Sequence, residues 1–227
     1  MKRFWNEVSV EGTGVLLDGR PVRTPARLPL AAPNATLAEA IADEWRAVEG
    51  EIDPRAMPLT GFVNAALDRV APDPSSFARD LAAYGESDVL YYRAENPPEL
   101  ASRQAERWDP LLDWASARYD IGFVVTHGII HRPQPPETIE RLAAAIAARS
   151  PFELAALSPI VSIGGSLVVG LMLAEDEIAA NVAFDVTHLD ELWQAELWGE
   201  DWMAADTRAL RRADFEAAAR FLALLRN

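Results

Sequence analysis

One short run of the 227-residue chain holds the residue types that hydrolytic or metal chemistry would need: Asp185, His188, Asp190 and Glu191. Carboxylates beside an imidazole can hold a hard or borderline divalent ion, and such an ion can activate a water. A metal-dependent hydrolase built on these four residues is therefore one functional reading. Helix initiation explains the same residues, with Asp185 or Thr187 as an N-cap and acids of the first turn favoured by the helix dipole. The other two histidines, His127 and His131, lie four apart, but Gly128 and Pro133 argue against a helix there, so their spacing is not that of a helical metal pair. No GxSxG, Walker loop, HExxH or post-strand GxGxxG occurs, and Gly12-Thr13-Gly14 is short enough to read as a turn. With no cysteine, the chain has no thiolate ligand, no cysteine nucleophile and no disulfide framework. With the hydrolase kept as the alternative, the favoured reading of these residues is no catalytic, cofactor-binding or metal-ligating set and no enzyme.

The elements that would carry these residues read as α+β: a small β-rich N-terminal subdomain packed on a larger, mostly helical body. Residues 1–33 form the β-rich part. Val8 and Val10, Val15 to Leu17, and Val22 with Thr24 favour strands, and Asp18-Gly19 is a hairpin signal. Leu28 and Leu30 extend this small sheet, and a later strand near 122–127 (Phe123 to Thr126) is expected to join it. Residues 34–227 form the helical domain. Asn34 or Thr36 caps a helix whose Leu37, Ile41, Trp45 and Val48 share one apolar face. Thr60 caps a second helix, and Ser75 or Ser76 starts a third. Pro98 to Tyr119 reads as helix with a kink or a new start at Asp109-Pro110. Helices follow at about 137–149, 151–158, 160–174, 176–184, 187–199 and 206–225. Asp88 to Arg93 fits either a strand or a last helical turn. Leu154 to Ala174 is 21 residues without a charge, long enough to span a bilayer, but Ser158-Pro159 and Gly164-Gly165-Ser166 interrupt it, which favours a buried core helix.

Half the residues are apolar, which argues against disorder. The formal net charge of -14 argues against a nucleic-acid binder, since counterion release needs a basic face. Ten acids and no Lys or Arg lie between Glu175 and Asp206, so that stretch supplies -10 of the total. It reads either as a solvated acidic region or as a surface that steers a basic or polar protein partner. Within it, Leu189, Leu192, Trp193 and Leu197 form one helical side, while Glu191, Gln194 and Trp198 form a second. A tryptophan on that second side is either covered by the following Trp202 segment or serves as an anchor for another protein.

Those residues also carry a likeness. Leu189-Asp190-Glu191-Leu192-Trp193-Gln194, followed by Trp198-Gly199-Glu200-Asp201, resembles the C-terminal signature of the F1-ATPase assembly chaperones that serve the α subunit, found in mitochondria and some bacteria. Other pieces agree in order: Arg3-Phe4-Trp5, Leu17 to Pro25, Glu44-Trp45, Met57-Pro58-Leu59-Thr60, Tyr92-Arg93-Ala94, Gln104 with Trp108-Asp109-Pro110, and Gly165-Ser166-Leu167. The resemblance runs from the first residues to about Asp206. It implies an ATP-independent, non-enzymatic chaperone without cofactors. Such a chaperone binds the F1 α subunit and shields it until the β subunit takes over. It also implies that Glu191, Gln194 and Trp198, with Asp190 and Trp193, form the partner-binding set. Glu191 is expected to be exposed and dispensable for packing. Trp45, on the apolar face of its helix, is expected in the core. With neither a signal peptide nor an organelle presequence in the sequence read, the expectation is a monomeric, cytoplasmic bacterial protein that is not inserted in a membrane.

Overall fold

The computed structural model describes residues 2–226, and the fold is α+β. An antiparallel meander opens the chain: β1 (Val8–Glu11), β2 (Gly14–Leu17) and β3 (Arg20–Pro21), in that order across the sheet. Leu17 pairs with Arg20 across Asp18 and Gly19, whose φ angles of 49° and 74° make the tight left-handed turn that Asp-Gly sequences favour. Bridges Arg23–Pro29 and Gly14–Ala31 extend the sheet as expected. The carboxylate of Asp18 closes the hairpin by accepting from the backbone N–H groups of Asn6 and Glu7.

Helix α1 (Ala35–Arg46) is capped by Asn34, whose Oδ1 accepts from Leu37 N at 2.8 Å; Leu37, Ile41 and Trp45 are buried. The same side chain donates through Nδ2 to the carbonyls of Leu224 and Leu225, at the other end of the chain. Trp45 packs edge-on to Trp5, 5.2 Å between centroids. Helix α2 (Pro58–Ala65) is capped differently from expectation. Thr60 is not the cap; Glu44 of α1 reaches over and accepts from Leu59 N, Thr60 N and Thr60 Oγ1 at 2.7–2.8 Å. A carboxylate is favoured there by the helix dipole. Burial pushes the Glu44 carboxyl up, opposed by these hydrogen bonds.

After α3 (Pro74–Ala82), capped by Asp73, the disputed 88–93 segment contains both expected forms. A 3-10 turn over Val89–Tyr91 leads into strand β4 (Tyr92–Arg93). Helix α4 (Pro98–Tyr119) is continuous through Pro110, so the new start at Asp109-Pro110 is absent. Burial of Trp108, Leu111, Leu112 and Ala115 on either side of the proline holds the helix together. The later strand, β5, is only Thr126–His127, and it does not join the N-terminal sheet. It lies parallel to β4, with Tyr92 opposite Thr126.

Helix α5 (Pro136–Ala147) precedes the uncharged stretch, which folds as two helices divided differently from expectation. Helix α6 (Pro151–Gly164) continues through Pro159, and α7 (Leu167–Ala174) follows after Gly165, whose φ of 64° turns the chain. Every residue of α7 is buried. No helix among the described residues is long and apolar enough to cross a membrane. Asp88, wholly buried, fixes the start of α7 by accepting from Ser166 Oγ and Val168 N, and it also accepts from Leu90 N. Burial raises its pKa to about 6 despite these bonds. Helices α8 (Ala180–Thr187), α9 (Leu189–Trp198) and α10 (Trp202–Leu225) complete the chain; α8 and α10 start respectively after and before the expected positions. Helix α10 packs on α1, α2, α6, α7 and α8 and closes a single hydrophobic cluster that runs from Trp5 to Leu222.

Candidate partner-binding site around helix α9

Helix α9 is fastened to the body largely by its polar residues. Its first residue, Leu189, is its only buried one. The next residue, Asp190, accepts from Gln104 Nε2 of α4 at 2.7 Å. Gln104 is itself buried, and its Oε1 accepts from Ala94 N. Beneath it, Arg93 donates to the Gln104 carbonyl and, at 2.6 Å, to Asp109, and its guanidinium lies 4.9 Å from the centre of the Trp108 ring. The Trp108 indole N–H donates to the Val186 carbonyl at the end of α8. Burial pushes the Arg93 guanidinium down, and the charges of Asp109 and Asp190 oppose that. The Tyr92-Arg93-Ala94, Gln104 and Trp108-Asp109 pieces, distant in sequence, thus meet in one network that seats the start of α9. The Glu44-Trp45, Met57–Thr60 and Trp5 pieces meet in the same way around α1.

The flanks of α9 are held by two arginines. Arg103 of α4 lies 4.4 Å over the Trp193 ring and pairs with Glu196 at 2.6 Å. Arg208 of α10, almost buried, pairs with Glu191 at 3.1 Å and with Glu200. Glu191 is therefore half-buried and engaged, which corrects the expectation of an exposed acid unneeded for packing. The acidity of the 175–206 stretch is likewise largely answered inside the chain. Glu175 meets Arg118 and Arg149, Asp176 meets Arg226, and Asp185 meets Arg212.

Four residues of the candidate metal cluster point to four different places. Asp185, Asp190 and Glu191 go to Arg212, Gln104 and Arg208 respectively. His188 is buried and stacked on Phe184 at 3.8 Å, with Nδ1 3.0 Å from the Phe184 carbonyl. Burial lowers its pKa. Among the described residues no group of three or more His, Asp or Glu side chains is placed to hold a metal. Neither Asp185 nor Thr187 caps α9. Thr187 Oγ1 donates back into α8, and His188 occupies the cap position without a side-chain bond.

The far end of α9 is a different surface. Trp198 is 78% exposed and Trp202, just beyond the Gly199 turn, is 72% exposed, so neither covers the other. Leu197, expected inward, is exposed too, as is Met203. Gln194 faces solvent. Between α4, α8 and α9 lies an open groove of about 560 Å³, floored by Val182, Val186 and Leu192 and rimmed by Arg103, Arg107 and Glu196. Periodicity puts Trp198 on the side of α9 away from Leu189 and leaves open whether another element covers it. Periodicity offered no signal for Trp202, Met203 or the groove, because these depend on how α8 and α10 leave the two ends of α9.

The sequence model of the ATP12 chaperone protein family matches residues 2–116. The chain is 27% identical to the mitochondrial protein atp12 of Schizosaccharomyces pombe, across 92% of this chain and 78% of that protein. The fold superposes on the crystal structure of Atp12 from Paracoccus denitrificans with a TM-score of 0.94 at 44% identity, covering 99% of this chain and 98% of that one. It also superposes on the Atu1473 protein of Agrobacterium tumefaciens, with a TM-score of 0.93 at 42% identity, covering 99% and 86%.

Proposed function

The chain belongs to the ATP12 chaperone family, and from that premise we propose that it is an assembly chaperone of F1-ATPase that binds the α subunit. In this reading it acts in the bacterial cytoplasm as a monomer without enzymatic activity. As the family likeness implies, it shields the α surface until β takes that surface over, and it does so without ATP.

The observation that carries the reading is the exposed aromatic corner at the end of α9. Leu197 and Trp198 at the end of α9, with Trp202 and Met203 at the start of α10, stand in solvent, and α9 is seated by Gln104, Arg103 and Arg208. Aromatic anchors on a preorganised support are what binding hot spots require. Trp198 and Gln194 touch the client, while Asp190, Glu191 and Trp193 orient the helix and add their exposed edges to the contact.

The test is binding of isolated F1 α subunit, read as a dissociation constant and as suppression of α aggregation. Trp198→Ala is expected to weaken the complex by at least about tenfold with an unchanged melting temperature. A Trp198→Ala protein that binds α as the parent does overturns this assignment. Glu191→Lys is a poor substitute, because it sets a second cation beside Arg208 and disturbs the joint between α9 and α10.

A further inference from the structure

The other side of α9 carries a second feature. Asp190 lines an open cleft of about 390 Å³ together with Arg93, Glu95, Asn96 and Ile129. Ile129 and Ile130 are the most exposed pair of large apolar side chains among the described residues, at 95% and 75%. The turn that presents them is held at both ends. Gly128 N donates to the Arg93 carbonyl at 2.8 Å, and the Tyr92 hydroxyl meets His131 Nδ1 at 3.1 Å. Gly128 has a φ of 79°, a conformation that other residues rarely adopt, so the turn is fixed by its sequence.

Backbone pairing stops at this turn. Just upstream, the buried Gln134 amide both accepts from Val124 N and donates to the Val124 carbonyl, closing that edge as a neighbouring strand would. From Ile129 to Arg132 no backbone group among the described residues makes a hydrogen bond. Such a row of free N–H and C=O groups beside a two-stranded sheet is a template for an added strand. The cleft below it is acidic: Glu95 and Asp190 line it, and the one cation there, Arg93, is engaged by Asp109.

We propose that the Gly128–Arg132 turn is a second docking point for the client that α9 binds. It takes an extended client segment that pairs with the free backbone of Ile129–Arg132, packs an apolar side chain on the two isoleucines and sends a basic side chain toward Glu95 and Asp190. This rests on the reading of α9 as the client surface, and Asp190 belongs both to α9 and to the cleft.

The experiment combines two measurements with isolated F1 α subunit as the probe. Amide hydrogen exchange is followed at residues 129–132 with and without α. Dissociation constants are compared for the parent, an Ile129→Asp/Ile130→Asp double variant, Ile130→Pro (which removes one free N–H) and Trp198→Ala. Both isoleucines are exposed, so the variants should melt with the parent. Slower exchange at 129–132 and at least about tenfold weaker binding by both turn variants support the proposal. If α binding depends on Trp198 while the turn variants bind normally and the amides exchange unchanged, the proposal falls and the α9 reading stands. If the parent does not bind α, both fall. If the double variant instead dissociates a dimer of the chaperone without affecting α, the occupant is a second copy of this chain and the proposal is overturned.

Discussion

Helices α7 and α9 are eight and ten residues long, and each is more than half apolar, yet all of α7 is buried and only Leu189 of α9 is. Helix α7 is held by burial of Leu, Val and Met side chains on every face. Helix α9 is held by a hydrogen bond from Gln104, a guanidinium over Trp193 and ion pairs to Arg103 and Arg208. Apolar content alone does not decide which helix enters the core. A helix seated by polar contacts leaves Trp198 in solvent, whereas a helix seated by burial exposes none of its side chains.

Substitutions at the seats of the two helices put that contrast to the test. The largest effect is expected from Asp88→Ala, which strips three buried donors of their acceptor: Ser166 Oγ and Val168 N at the start of α7, and Leu90 N. Leaving buried donors unpaired costs on the order of 1–3 kcal/mol each at most, so a total loss of about 3 kcal/mol or more in denaturant unfolding is expected. A loss below about 1 kcal/mol would show that α7 is seated without its polar clamp. Asp88 also gives stability a pH dependence. Its folded pKa of about 6 lies above its ordinary value of 3.8, so the folded state holds the proton more tightly. The resulting contribution is complete at low pH and is lost as pH rises through about 6. The difference between parent and Asp88→Asn unfolding free energies should slope across that window and flatten above it.

Gly170→Ala is next. A methyl there would sit 2.8 Å from Val161 Cγ2 of α6, so a substitution that favours helix in isolation should cost about 1–3 kcal/mol here. Arg103→Ala removes both the ring contact and an ion pair from α9, and about 1 kcal/mol is expected, seen as faster amide exchange confined to α9. Trp198→Ala should change stability least, by under about 0.5 kcal/mol, because the side chain is already in solvent. A larger loss would mean that the aromatic corner belongs to the fold.

Much of the body was legible from periodicity and turn chemistry. The Leu37, Ile41 and Trp45 face is buried, Asn34 caps α1, and Asp18-Gly19 makes the hairpin. The misread boundaries share a cause. Pro110 and Pro159 sit inside continuous helices because buried neighbours on both sides outweigh one missing N–H. Thr60 is displaced as a cap by Glu44, sixteen residues away. Neither reading of the acidic stretch, as a solvated region or as a steering surface, includes its internal pairing, because its arginine partners lie elsewhere, as with Arg103 and Glu196, 93 residues apart. The helical wheel placed Trp198 opposite Leu189 but carried no information about whether another element covers that side; only the directions of α8 and α10 decide it. The exposed isoleucines of the Gly128 turn fall in a stretch read as strand and loop, where local pattern says nothing about exposure.

The double duty of Asn34, capping α1 and tying down the last turn of α10, bears on how the protein is made. Its partner Leu224 is 190 residues downstream, so at about 5–20 residues per second a ribosome needs about 10–40 s to join them. Until then the faces of α1, α2 and α6 that α10 covers stand open to solvent. For that interval the nascent chaperone is itself an aggregation-prone client, and any stall in translation before α10 emerges prolongs its own need for protection.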